Sequence, residues 1–271
     1  MMSTDAGAQT DLPPDKPSVA RMYDYFLGGF HNVAIDRQAA EAVLRVFPEA
    51  PLALQANHAF LRRAMHFLTA QGIDQFLDIG SGIPTVGNVH EVAQRANPAA
   101  RVVYVDVDPV AVEHSNAILA GNARAMAIEA DARHPERLLQ HPDIRRLLDF
   151  RRPIGVLIVA LLHFLPDDTD ADGLVRTVRD ALAPGSYIAI THGTADAMPR
   201  DIAEQSERLY AGTTKPGRYR TRMAVERFFE GLTLVEPGVV YVPLWRPEGS
   251  DDIFVCAPER SINFAGVGYK P

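Results

Sequence analysis

Asp78, Asp106 and Asp131, with the glycines at 80 and 82, carry the chemistry most legible in this chain. Residues 76–82 read Phe-Leu-Asp-Ile-Gly-Ser-Gly, an apolar run that ends in an acid and two glycines one residue apart. Such a run reads as a buried strand entering a tight turn, where a residue without a Cβ lets backbone come close to a ligand. Asp78, just ahead of the turn, can accept hydrogen bonds from an ammonium or hydroxyl group. Asp106 closes a second run rich in β-branched residues, and Asp131 follows a third. A carboxylate can hold both hydroxyls of a ribose, which assigns Asp106 to a sugar; Asp131, one strand further out, is placed to meet the amino edge of a purine. Asp108 has two readings, a ligand contact or a cap on the helix that Pro109 opens. His163 and His192 each end an apolar run. As imidazoles that titrate near neutral pH they are candidates for a general base, the alternative for both being a structural hydrogen-bond partner.

The elements that must position these residues follow from periodicity. Apolar residues at helical spacing between Asp36 and Gly72 predict two helices, divided by Pro48 and Pro51. After the turn at 80–82, helices are predicted near 86–97, 109–119, 135–150 and 172–182, separating strand-like runs at 101–108, 125–131, 154–163 and 186–193. The continuous apolar run at 154–163 suits a strand covered on both faces, hence the centre of the sheet. Strands alternating with helices imply right-handed crossovers, a mostly parallel doubly wound sheet, and a ligand crevice beyond the carboxyl ends of the strands. That edge gathers the acids, the glycines and both histidines. Beyond residue 199, two further helices and strand-like runs at 232–236, 239–243 and 253–257 predict an antiparallel strand pair at one edge, for a sheet of seven strands.

Residues 1–16 are rich in proline, aspartate and small residues and predict a disordered tail, followed by a single domain over 17–271. Residues 17–72 form an N-terminal helical arm in which Tyr23, Tyr25, Phe26 and Phe30 surround Gly28 and Gly29. Such an arm either lies over a ligand as a lid or packs into a groove of the core. A net charge of −7 argues against a protein that coats nucleic acid. The lone Cys256 excludes an intramolecular disulfide framework and a cysteine-rich metal cluster. No run spans a membrane and the N-terminus does not read as a signal peptide, so a cytoplasmic protein is expected, with no membrane partner.

Taken together, Asp78-x-Gly80-x-Gly82, Asp106 and Asp131 resemble the S-adenosylmethionine site of class I methyltransferases. The likeness is closer to the actinobacterial S-adenosyl methyltransferases, a subgroup formerly described as a domain of unknown function. It is carried by the Ser-Val-Ala-Arg stretch opening residues 18–29, Asn-Val-His-Glu-Val-Ala at 88–93, His163-Phe164, residues 191–196 and Arg-Phe-Phe from 227. The resemblance covers residues 17–247 and implies S-adenosyl-L-methionine as cofactor. Gly80, Ser81 and Gly82 would then pass the methionine moiety beside Asp78, with Asp106 on the ribose, Asp131 and Ala132 at the adenine, and Asp108 nearby. The sequence departs from many class I enzymes after Gly82, where Ile83, Pro84 and Thr85 stand in place of a further glycine.

A nicotinamide-dependent oxidoreductase is the first competing reading. Its fingerprint needs a glycine at position 85, and Asp78 would repel a pyrophosphate. The second is a non-catalytic protein that senses S-adenosylmethionine on the same fold. The methyl acceptor is expected to be a small molecule rather than nucleic acid; nothing in the sequence names it or fixes an oligomeric state.

Overall fold

The computed structural model describes residues 16–83, 88–165 and 167–271. Residues 1–15 of the expected tail over 1–16 and the expected helix start at Val86 lie outside them. Three helices open the chain: α1 (Val19–Phe26), α2 (Ala34–Val46) and α3 (Ala50–Ala70). The break between α2 and α3 falls where Pro48 removes a helical donor and Pro51 can enter a first turn. The alternating region then runs β1 (Gln75–Ile79), α4 (Val89–Ala96), β2 (Arg101–Asp106), α5 (Pro109–Ile118), β3 (Ala125–Glu129), α6 (Pro135–Leu139), α7 (Pro142–Leu147), β4 (Gly155–Ile158), α8 (Asp168–Ala181) and β5 (Tyr187–Gly193). It closes with α9 (Arg200–Ala211), α10 (Arg222–Arg227), β6 (Thr233–Leu234), β7 (Val240–Tyr241) and β8 (Asn263–Tyr269).

Strand order is β3-β2-β1-β4-β5-β8-β6, with β7 also paired to β8. The pairings among β1 to β5 are parallel, and those of β8 with β5, β6 and β7 are antiparallel. β4 sits at the middle of this order, as its apolar run predicts. The sheet has eight strands rather than seven, because two short strands share the outer edge of β8.

Two further expectations are corrected. Residues 253–257 are turns, and the antiparallel strand is Asn263–Tyr269 instead. Gly266 and Gly268 make that strand look weak in sequence, yet packing requires them. A Cβ at Gly266 would come within 2.8 Å of the Phe229 ring, and one at Gly268 within 2.7 Å of Leu232. The helix expected over 135–150 is two short ones, α6 and α7, the second opened by Pro142, whose ring cannot continue the first.

Both faces of the sheet are covered. Leu77, Ile79, Val103 and Val156 pack under α6 to α8, while Phe76, Val102 and Leu157 pack under α3, α4 and the buried Trp245. The arm has a smaller core of its own, in which Met22 and Phe26 meet Ala40, Val43 and Ala50, with Leu209 and Tyr210 of α9 alongside. Among the described residues no helix is long and apolar enough to cross a membrane.

Candidate active site

The turn after β1 is pinned to the end of β2. Gly80 and Ser81 donate their N–H groups to the Val105 carbonyl at 2.8 and 3.0 Å, and Gly82 donates to Asp106 Oδ2 at 2.7 Å. Gly80 adopts φ +76°, and a Cβ there would lie 2.7 Å from Leu161, so both conformation and space demand glycine. At Gly82 the space is open and only the backbone, φ +62°, makes the demand.

The acids around this turn differ in what holds them. Asp78 is buried, 6% exposed, and no hydrogen-bond donor among the described residues reaches its carboxylate. Burial, and then the neighbouring charge of Asp106, push it up to about 7. Asp106 is also raised by burial, against the pull of N–H donors from Asp108, at 2.9 Å, and Gly82. Asp108 caps α5 by accepting from Val110 N–H at 3.0 Å, accepts from Ser18 Oγ at 2.7 Å, and lies 3.6 Å from Arg21. Its capping reading is therefore realised while it remains on the cavity wall. Asp131 is held down to about 2, chiefly by side-chain hydrogen bonds from Arg133, and ionises freely.

All eight residues singled out for a cofactor, Asp78, Gly80, Ser81, Gly82, Asp106, Asp108, Asp131 and Ala132, line one cavity of about 700 Å³. α1 forms its roof through Val19 and Tyr23, and Thr214 of the loop after α9 ties down the arm by donating to the Pro17 carbonyl at 3.0 Å. Lys16 and Lys215 also line the cavity.

A buried carboxylate that no donor among the described residues reaches, beside a second acid in a cavity that Val19, Tyr23 and Phe164 also line, suits a ligand that brings an ammonium and hydroxyl groups of its own. S-adenosylmethionine fits that set: Asp78 would meet its ammonium, Asp106 its ribose and Asp131 its base.

The two histidines do not line this cavity. His192 is fully buried, its Nδ1 2.7 Å from the Gly193 carbonyl and its Nε2 2.8 Å from the Arg220 guanidinium, so both ring nitrogens are engaged within the protein. His163 lines a second, smaller chamber and accepts from Gly193 N–H through Nδ1 at 3.3 Å. Burial and the Arg220 cation hold it down to about 3.

Sequence reasoning missed other wall residues. Ala160, just past β4, has φ +54° and lines both cavity and chamber. Asn57, fully buried in α3, left one signal in the sequence: a lone amide among the apolar positions of a helix. Tyr104 and Leu161 looked like ordinary core residues and left none.

A doubly wound sheet with this acid and glycine edge defines a class I S-adenosylmethionine-dependent methyltransferase. The family model described as S-adenosyl methyltransferase matches residues 5–271, and the chain belongs to that family. Among solved structures, a candidate methyltransferase from Thermobifida fusca YX is 42% identical, with a TM-score of 0.88 over 94% of this chain and 95% of the other. A DUF574 family protein from Streptomyces avermitilis MA-4680 is 40% identical, with a TM-score of 0.89 over 94% of this chain and 98% of the other. The N-methyltransferase NodS from Bradyrhizobium japonicum WM9, in complex with S-adenosyl-L-homocysteine, shares the fold at 13% identity, with a TM-score of 0.51 over 93% and 99% of the two chains. Among curated proteins no sequence matches the chain.

Proposed function

We propose that the protein methylates a small, flat and largely apolar organic molecule rather than a nucleic acid. The observation that carries this reading is the roof. α1 covers the cofactor cavity and is fixed by Arg21, whose Nε lies 2.7 Å from buried Asp36, and by Ser18 on Asp108. A small molecule can enter beside the arm, whereas a base or side chain on a macromolecule would have to displace it. The net charge of −7 points the same way.

Bound in this cavity, S-adenosylmethionine supplies an electrophilic methyl group on a sulfonium. The chain's own residues then have two tasks, to hold the acceptor in line and to exclude water. Asp78 and Asp106 orient the cofactor, and Val19, Tyr23 and Phe164 keep the space beside it apolar. His163 serves as a neutral hydrogen-bond donor in this reading, since its Nδ1 accepts from the backbone and leaves the proton on Nε2.

The test is to incubate the protein with S-adenosylmethionine labelled in its methyl group and a cell extract separated by mass. Label in the low-mass fraction is expected. Label only in nucleic acid or protein would refute the proposal.

A further inference from the structure

Beside the cofactor cavity lies a chamber of about 80 Å³, walled by Met22, Tyr23 and Phe26 of α1, by Tyr210 of α9, and by His163 and Phe164. Val19, Tyr23, Ala160 and Phe164 line both spaces, so the two meet at a neck formed by these four residues. The backbone at that neck is strained: Ala160 holds a left-handed φ of +54°, kept there by its N–H donating to Thr191 Oγ1 at 2.9 Å. Strain of this kind persists where surrounding structure enforces it, and it concentrates at ligand sites.

One buried group in the chamber lacks a partner. Asn57 is fully buried; its Nδ2 donates to the Tyr23 hydroxyl at 3.3 Å, and its Oδ1 accepts from nothing among the described residues. In this arrangement the Tyr23 hydroxyl receives from Asn57 and directs its own proton to the Leu54 carbonyl at 3.5 Å, away from Asn57 Oδ1. A buried acceptor left empty is costly, so a ligand that brings an O–H or N–H is favoured here. Charged groups in the wall are already engaged: Glu207 accepts from Tyr219 N–H at 3.1 Å, and Arg218 pairs with Asp168 at 3.2 Å. The chamber therefore asks for a neutral guest.

We infer that this chamber is the acceptor subsite and that it selects a neutral aromatic molecule by the O–H or N–H donated to Asn57 Oδ1. The inference rests on the small-molecule reading above. Size sets the pose. A cavity of about 150 Å³ holds a benzene ring, so a chamber near half that volume takes the donor group and the leading edge of the ring. The remainder lies in the neck between Tyr23 and Phe164, facing the cofactor.

Phenol and anisole are the probes, since both carry a ring and an oxygen and only phenol has the donor. With the protein saturated by S-adenosylhomocysteine, each is titrated by ligand-observed NMR against wild type and Asn57→Leu. The ratio of phenol to anisole affinity is expected to fall about ten-fold in the variant, the effect of losing one buried hydrogen bond. An unchanged ratio overturns the inference. A second measurement needs no variant: nuclear Overhauser contacts from phenol ring protons to the Met22 methyl group of the wild-type protein are expected, and contacts found only elsewhere overturn it. If S-adenosylhomocysteine itself fails to bind, the cofactor assignment falls and the subsite with it. If it binds while phenol stays out of the chamber, only the subsite falls.

Discussion

The two sides of the cavity satisfy their polar groups in opposite ways. On the sheet side, Asp78 is buried with no donor from the described residues, and Asp106 accepts from backbone N–H groups, of Gly82 in the turn after β1 and of Asp108. On the roof side, the buried charges are closed upon one another. Asp36 accepts from Ser18 N–H, Val33 N–H and two atoms of Arg21, and Asp24 accepts from His31 N–H and Asn32. The difference separates function from architecture. Asp78, which no described residue satisfies, faces the cofactor cavity, while Asp24 and Asp36, which the fold satisfies, give a short helix a fixed place.

The sharpest way to break this contrast is to remove Arg21. Asp36 is fully buried, and stripping its guanidinium leaves an uncompensated charge, a loss typically of about 3–5 kcal/mol. Because the arm has its own small core, Arg21→Ala is expected to loosen residues 18–47 while leaving the parallel strands intact. Hydrogen exchange read by mass spectrometry would show faster exchange in peptides from α1 and α2 only. Equal protection in both regions, or loss of protection throughout, would end the claim that the roof is a separable unit.

Asp78 predicts the opposite sign. Its carboxyl is raised from 3.8 to about 7 in the folded protein, so between about pH 4 and pH 7 the folded state binds a proton that the unfolded chain has released. Its contribution to stability is therefore most favourable below about pH 4 and is lost as pH rises through 7, by about 4 kcal/mol at full effect. Asp78→Asn removes that dependence. The cofactor-free variant is expected to resist urea better than wild type at pH 8 and about equally at pH 4, while its affinity for S-adenosylhomocysteine falls. A variant less stable than wild type at pH 8 would mean that Asp78 has a structural partner after all.

The same contrast explains what was legible in the sequence. The sheet side could be read because strand ends, glycines and acids are local signals, and a parallel topology brings the ends of β1, β2 and β3 to one edge. The roof side could be read only as an aromatic segment. Its partners are remote: Asp108 lies 90 residues from Ser18, and Tyr210 reaches the arm core from α9. Gly28 and Gly29 were visible as a pair, but their reason was not. Gly28 takes φ +80°, and a Cβ on Gly29 would run into the Asp24 carboxylate. β8 was misplaced because its two glycines serve packing by Phe229 and Leu232, neighbours no local pattern announces. His192 lies in β5 and His163 in a short turn past the end of β4 rather than at the strand's own end, and the backbone at Gly193 and the Arg220 guanidinium, which engage their ring nitrogens, cannot be seen from the order of residues.

On the sheet side, Asp106→Ala separates a ligand contact from a scaffold. The carboxylate holds Gly82 and Asp108 N–H groups as well as facing the cavity, so its removal is expected to weaken S-adenosylhomocysteine binding by about 1–3 kcal/mol in calorimetry. Asp106→Asn keeps one carbonyl acceptor for the turn and should recover part of that loss. Unchanged affinity in both variants would remove Asp106 from the ribose.

The smallest expected effect tests the one contact that joins the two sides. Ser18 Oγ donates to Asp108 at 2.7 Å, on the cavity wall, joining the arm to the segment just past the strand end that bears Asp106. Ser18→Ala deletes this hydrogen bond and little else, because the Ser18 backbone N–H still bonds Asp36 at 2.8 Å and Asp108 still caps α5. A loss of about 1 kcal/mol follows, roughly five-fold in an equilibrium constant. If the roof must lift for the cofactor to leave, that loss belongs in the dissociation rate, so stopped-flow release of S-adenosylhomocysteine should quicken about five-fold with little change in association. An unaltered release rate would mean that the cofactor leaves by a path that does not part Ser18 from Asp108.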